Sequence, residues 1–391
     1  MPFAGGRAWA ASNPDSRGKR LVVVFLRGAV DGLSVVPPWG DPDYEEARPT
    51  IAIRRGGGAI DLDDRFGLHP ALAALTPFWQ DRSLAFIHAC GSPDQTRSHF
   101  DAQDYMESGT PGVKTTMDGW MNRLLGVLPG PRHSTEAIAF GPTMPRILSG
   151  KQNVANVPLG RGANAPSVLD RPVINAAFDQ LYTGNDPLSH AYKEGLAAHK
   201  AVLADLQTDM AAADNGAPSP IGFDTDVQHL ATMIKQDPTI DLAFFALGGW
   251  DTHINQGAAE GQLANHLKPL GDGLAVLARD LGSAYGDTVI LVISEFGRTV
   301  HENGNRGTDH GHGNVMWVMG GPVAGGKVYG AWPGLSTEVL HDGRDLAVTT
   351  DFRTAVGAVL AGHMGLTDAQ LDQVFPERPT MSADITGIIR V

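Results

Sequence analysis

The stretch Leu21-Val22-Val23-Val24-Phe25-Leu26, followed at once by Arg27-Gly28-Ala29-Val30-Asp31-Gly32, decides the fold. A strand with one wet face alternates apolar and polar residues. An unbroken run with β-branched residues at its centre instead fits a strand buried on both faces, as in a parallel sheet between layers of helices. The glycine-flanked turn behind it puts a carboxylate just past the strand's end. In open parallel sheets that edge is where ligands bind.

Outward from this segment the same pattern recurs. Residues 72–80 predict a helix behind Pro70, 84–88 a second strand, and 96–108 a helix with Ser98 as N-cap and Phe100, Tyr105 and Met106 at apolar positions. Further on come a helix at 226–235, a strand at 240–247 and a long amphipathic helix at 260–285. A kink or break is expected in that helix at Pro269. Strands at 288–293 and 316–319 and a helix at 352–363 follow. Strand and helix in alternation predict an α/β protein, a mostly parallel sheet sandwiched by helices. Between about 111 and 225 the strand signal fades into Gly/Pro/Asn-rich loops and one long helix near 190–213. This predicts a helical or loop cap or insertion on a single domain spanning 21–391, behind a flexible leader at 1–20.

Composition narrows the function. The 391 residues are 42% hydrophobic and 19% charged, which excludes intrinsic disorder. No apolar run reaches the ~18–20 residues of a membrane span. A net charge of −13 argues against a nucleic-acid partner. Cys90, the only cysteine, excludes an internal disulfide and a cysteine-cluster metal site. The leader is small and polar. It carries a small-x-small tripeptide, Ala8-Trp9-Ala10, but neither a hydrophobic signal core nor an arginine pair.

The residues that permit chemistry follow strands. Asp251-Thr252-His253 sits behind Gly248-Gly249-Trp250, and Asp309-His310-Gly311-His312 lies in a glycine-rich loop. Adding Asp31 and Glu295 gives four carboxylates and three imidazoles, enough for one or two divalent ions, with Zn²⁺, Mn²⁺, Ca²⁺ and Mg²⁺ all open. Two ions would clamp the attacking and leaving oxygens of a phosphoryl- or sulfuryl-type displacement. Each residue also has a plainer use. Asp31 fits an Asp-Gly turn, Glu295 an ion pair with Arg298, and His312 a solvated site. His69 and His88 fit structural roles, and His99 is ambiguous. Ser98, at a helix start, is the candidate nucleophile or an ordinary cap. Arg97 is the candidate anion holder or a surface residue.

The stretches FLRGAVDGLSVVPPWGDPDY, FGLHPAL, SHFDAQDYMESG, GGWDTH, ISEFGRT and GTDHGHGNVMWVMGG, in this order, resemble the DUF1501 family, which is placed in the alkaline phosphatase–sulfatase superfamily. The resemblance covers about residues 20–375. It implies an alkaline phosphatase-like fold and a periplasmic or extracellular protein, often exported with a twin-arginine signal. It also implies a carboxylate at Asp31, a nucleophile for which Ser98 is the best match, a pair at Asp251 and His253, an acid at Glu295, and a last histidine at His310 or His312. Superfamily phosphatases commonly carry a histidine directly after that acid, where this chain has Phe296. The sulfatase signature, Cys or Ser followed by x-Pro-x-Arg, is absent around Cys90-Gly91-Ser92-Pro93. The expectation is a metal-dependent hydrolase acting on an anionic phosphate or sulfate ester, a small molecule or a glycan. Asp31, Asp251, His253, Glu295, Asp309 and His310 hold metal, Arg97 grips the anion, and Ser98 or a metal-bound water attacks. The rival expectation is a non-catalytic exported protein that keeps the fold for binding or assembly.

Overall fold

A computed structural model describes residues 18–130, 135–157, 210, 212–380 and 383–390. Most of the expected leader, and the helix expected near 190–213 apart from its last few residues, lie outside them. The strands of the main sheet are β1 (Arg20–Leu26), β2 (Leu84–Gly91), β3 (Ala137–Phe140), β4 (Ala155–Val157), β5 (Leu242–Leu247), β6 (Thr288–Ser294), β7 (Asn314–Gly320), β8 (Val328–Tyr329) and β9 (Thr350–Asp351). They form one sheet in the order β8-β2-β7-β6-β1-β5-β3-β4, with β9 also on β2.

Strand β1 explains the apolar run. All seven of its residues are buried. Leu21, Val23 and Phe25 enter one core, and Val22, Val24 and Leu26 enter the other. Burying six apolar side chains at ~1.5–3 kcal/mol each favours the centre of the sheet over an edge. On the first face pack α2 (Trp120–Val127), α5 (Phe352–Met364) and α6 (Asp368–Val374); on the second pack α3 (Phe223–Gln236) and α4 (Gln262–Leu281). Helix α4 runs unbroken for 20 residues through Pro269, so the expected interruption is not a break. It ends where Gly282 takes φ +56°.

One feature departs from the sequence reading. The region 111–225, expected as a cap or insertion, supplies β3 and β4 to one edge of the main sheet, both pairing in parallel. Their runs of four and three residues are too short to show a period. The sheet is mostly parallel, as expected, and its exception is β7, which lies antiparallel to both β2 and β6.

That reversal builds the site. Strands β5 and β6 flank β1 in parallel, with Leu26 level with Leu247 and Ser294, so three loops leave the sheet at one height. Two antiparallel steps bring β2 back to the same direction. Its C-terminal end therefore lies on that edge too, and so does the N-terminal end of β7 with the loop before it. Asp31, Asp251, Glu295, His99 and His310 reach one rim from five segments remote in sequence.

Candidate metal centre

Local backbone chemistry lets the loops close on one another. Gly28 has φ +110°, and a Cβ there would lie 2.8 Å from the Asp251 backbone nitrogen. Only glycine lets the loop after β1 lie against the loop after β5. Its N–H donates to Glu295 Oε1 at 2.8 Å. Residues 309–312 fold back on 297–299, with Thr299 N donating to the Asp309 carbonyl at 2.9 Å and Gly297 N to that of His312 at 2.8 Å. This fixes His310. On the other side, α1 (His99–Ser108) begins with Ser98 as N-cap and delivers His99.

Three imidazoles converge by their Nε2 atoms. His310 Nε2 lies 2.9 Å from His99 Nε2 and 3.0 Å from His253 Nε2. Asp251 joins them, its Oδ1 3.0 Å from His253 Nε2 and its Oδ2 3.5 Å from His99 Nε2. His99, Asp251 and His310 each offer a ligand atom within 4.8 Å of the others, a group that can hold a metal ion.

The distal nitrogens decide the protonation. His99 Nδ1 meets Glu295 Oε1 at 2.8 Å, His253 Nδ1 meets Asp309 Oδ1 at 3.2 Å, and His310 Nδ1 meets the Arg97 carbonyl at 2.9 Å. Carboxylates and carbonyls only accept, so each Nδ1 carries its hydrogen and donates. In a neutral ring the Nε2 is then a bare lone pair. Three such lone pairs and a carboxylate facing one another need positive charge among them. This is the arrangement of metal-binding histidines, whose other ring nitrogen is anchored from behind. Asp251 Oδ2, buried and without a hydrogen-bond partner, marks the same spot.

Electrostatics agree. Burial pushes His99 down, but Asp251 and Glu295 outweigh it and lift it to about 9. Burial likewise opposes His253, which Asp251 and Asp309 nevertheless raise. His310 is lowered, chiefly by burial. Burial pushes Asp251 up, and Arg298 with the three imidazoles overrides it, holding the carboxylate far below its usual range. Glu295 is lowered against its own burial by His99 and Gln103, and Asp309 is lowered to about 2, first by His253.

The structure thus brings together Asp251, His253 and His310 with His99, which the sequence left ambiguous. Glu295 stands behind His99, and both its oxygens are occupied: Oε1 by Gly28, His99 and Gln103, Oε2 by Ser294. Asp309 stands behind His253. Arg298 is buried against Asp251, not paired with Glu295. Asp31 is fully buried, and Arg48 takes both its oxygens, at 2.5 and 3.0 Å. His312 stacks on His341 with centroids 4.5 Å apart, outside the cluster. Arg97 Nη2 reaches Asp345 at 2.7 Å and Asp342 at 3.1 Å, so its guanidinium is held by carboxylates. Ser98 is exposed and accepts from Asp101 N at 3.5 Å as an N-cap. Phe296 packs on His99 and His310 with centroids 4.8 and 5.2 Å away. His69 and His88 serve the backbone instead, their Nε2 atoms 3.0 Å from the Ala258 and Val36 carbonyls.

Sequence reasoning missed Arg48, Gln103 and Gln256. Gln103 was findable: it lies one helical turn after His99, and both reach Glu295 Oε1, Gln103 at 3.0 Å. Arg48 had no signal, because its partner lies 17 residues away across a loop.

An α/β protein with a mixed sheet, carrying a histidine–aspartate cluster at the edge where its strands end, is the class defined here. The chain belongs to the family described as protein of unknown function (DUF1501), whose model matches residues 18–375. No curated protein matches it. Among solved structures it is similar to the C-terminal periplasmic domain of EcEptC from Escherichia coli in complex with Zn, at 12% identity, TM-score 0.35, covering 78% of this chain and 74% of that one. It is also similar to Ps i-CgsB in complex with k-i-k-neocarrahexaose, at 10% identity, TM-score 0.42, covering 90% and 73%. A third is a protein in the alkaline phosphatase superfamily from Vibrio parahaemolyticus, at 10% identity, TM-score 0.38, covering 77% and 60%. Among the described residues no helix is long and apolar enough to cross a membrane.

Proposed function

We propose that the chain is a metal-dependent hydrolase of phosphate or sulfate esters working in the cell envelope, with His99, Asp251, His253 and His310 as ligands. The observation that carries this is the convergence of three Nε2 atoms, each on a ring whose Nδ1 is anchored by an acceptor behind it. Three nitrogens and one carboxylate favour Zn²⁺ or another first-row divalent ion over Ca²⁺ or Mg²⁺. Such an ion acts as a Lewis acid on an ester oxygen. Glu295, Asp309 and the Arg97 carbonyl keep the rings in the ligand tautomer, and Arg298 holds Asp251. Ser98 is the candidate nucleophile, flanked by the residue whose carbonyl anchors His310 and by His99 itself. An anionic substrate, small or glycan, and a periplasmic or extracellular location complete the reading, drawn from the family resemblance.

The test is hydrolysis of chromogenic phosphate monoesters, phosphate diesters and sulfate esters with Zn²⁺ or Mn²⁺ added. Activity is expected in the wild type and lost in Asp251→Asn and His310→Ala. Equal activity in those variants contradicts the reading. A second reading, an exported binding protein, is favoured by the pairing of Arg97 Nη2 with Asp342 and Asp345, which already balance its charge. It predicts bound metal without turnover of any of these esters.

A further inference from the structure

We propose that the centre holds a single divalent ion, and that the buried Arg48 guanidinium serves Asp31 as a fixed cation where a second ion would otherwise be needed. This rests on the metal-centre reading above and sharpens it. The sequence offered six ligands and room for two ions. The structure withdraws Asp31 from that set. Arg48 Nη1 donates to Asp31 Oδ2 at 2.5 Å and to Ser34 Oγ at 3.1 Å, and Nη2 donates to Asp31 Oδ1 at 3.0 Å and to the Thr299 carbonyl at 2.8 Å. Nε donates to the Val300 carbonyl at 2.8 Å, so every nitrogen of the guanidinium is satisfied. Gln256 Nε2 caps Asp31 Oδ2 at 2.6 Å. Asp31, Ser34, Arg48 and Gln256 all have 0% exposure. With both oxygens held by Arg48 and the whole group sealed from solvent, Asp31 is closed to a metal ion.

Charge balance leads to the same count. The four carboxylates named in the sequence, Asp31, Asp251, Glu295 and Asp309, carry four negative charges, and Arg48 and Arg298, which pair with two of them, carry two positive ones. The remainder of −2 is neutralised by one divalent ion when the imidazoles are neutral ligands. A second ion would leave two uncompensated positive charges in a largely buried site, where desolvation is unfavourable. Open donor positions are as few. Of the four carboxylates only Asp251 keeps a buried oxygen without a hydrogen-bond partner, and Phe296 packs an apolar ring against His99 and His310.

The experiment is metal analysis of the full chain, loaded with Zn²⁺ or Mn²⁺ and freed of excess by gel filtration, with affinity from titration calorimetry. The wild type is expected to retain one ion per chain in a single class of sites. Asp31→Asn leaves the Arg48 charge buried and alone and can cost the fold. The double variant Asp31→Asn/Arg48→Met removes both charges together and is the second probe. It is expected to keep one ion with affinity within about threefold of wild type, because outer anchors that touch the ligands change affinity by ~10–100-fold and this pair touches none of them. Two ions in the wild type, or loss of the ion from the folded double variant, overturn the inference and leave the metal centre standing. A wild type that takes up no ion overturns the centre, and the inference falls with it.

Discussion

Each imidazole of the cluster donates its Nδ1–H to a group that can only accept, and the consequences are testable residue by residue. Glu295→Gln keeps the shape behind His99 but removes the negative charge. It is expected to weaken Zn²⁺ binding by ~10–100-fold in calorimetry while the chain stays folded. Asp251→Asn strips the buried Arg298 of its counter-charge and is expected to cost ~3–5 kcal/mol in denaturant unfolding as well as the metal. An unchanged affinity in the first or an unchanged midpoint in the second contradicts the assignment. At this scale the sequence showed which residue types converge but not their tasks. Asp251, His253 and His310 stood out by spacing. Asp31 and Glu295 looked like ligands because each follows a strand, whereas Arg48 and His99 take their oxygens from 17 and 196 residues away. A partner choice made by the folded chain leaves no local trace in a single sequence.

Two elements hold the cluster in place, and each has a residue that tests it. Gly28 lets the β1 loop touch the Asp251 backbone. Gly28→Ala meets that nitrogen at 2.8 Å in a left-handed backbone conformation, so a loss of ~1–3 kcal/mol is expected, with weaker metal binding. Retained stability and affinity would show that the close approach does not matter. Ser98→Ala removes the cap of α1, whose bond is long at 3.5 Å, so only ~0.5–1 kcal/mol is expected. A far larger loss of ester hydrolysis than of stability identifies Ser98 as the nucleophile; parallel modest losses leave it a cap. The elements themselves were largely legible. The run at 21–26 and the strands at 84–88, 240–247, 288–293 and 316–319 all lie in the sheet. The direction of β7 was not legible, because direction comes from the connections and not from periodicity. Strands β3 and β4 were too short to register.

For the molecule as a whole, buried histidines set the response to acid. His69, His88 and His363 are held down to about 4 from the ordinary 6.5, first by burial. Between those values each of these three rings binds fewer protons folded than unfolded. Their contribution to stability is therefore complete above about pH 6.5 and falls as the pH drops towards 4, by up to about 2 kcal/mol per histidine at pH 5. The urea midpoint is expected to decline between pH 7 and pH 5, and a flat profile there contradicts the burial of these rings as neutral groups. The layered architecture was readable because a doubly buried strand needs helices on both faces. The strand-following residues pointed to one edge from the sequence, and the His310 loop joins them there because β7 runs backwards.

The most direct measurement is an anomalous difference map from crystals grown with Zn²⁺. A single peak is expected among the Nε2 atoms of His99, His253 and His310 and Oδ2 of Asp251, at ~2.0–2.2 Å from its ligands. Crystals that diffract well yet show no peak there, or whose peak sits beside Asp31 instead, contradict the account.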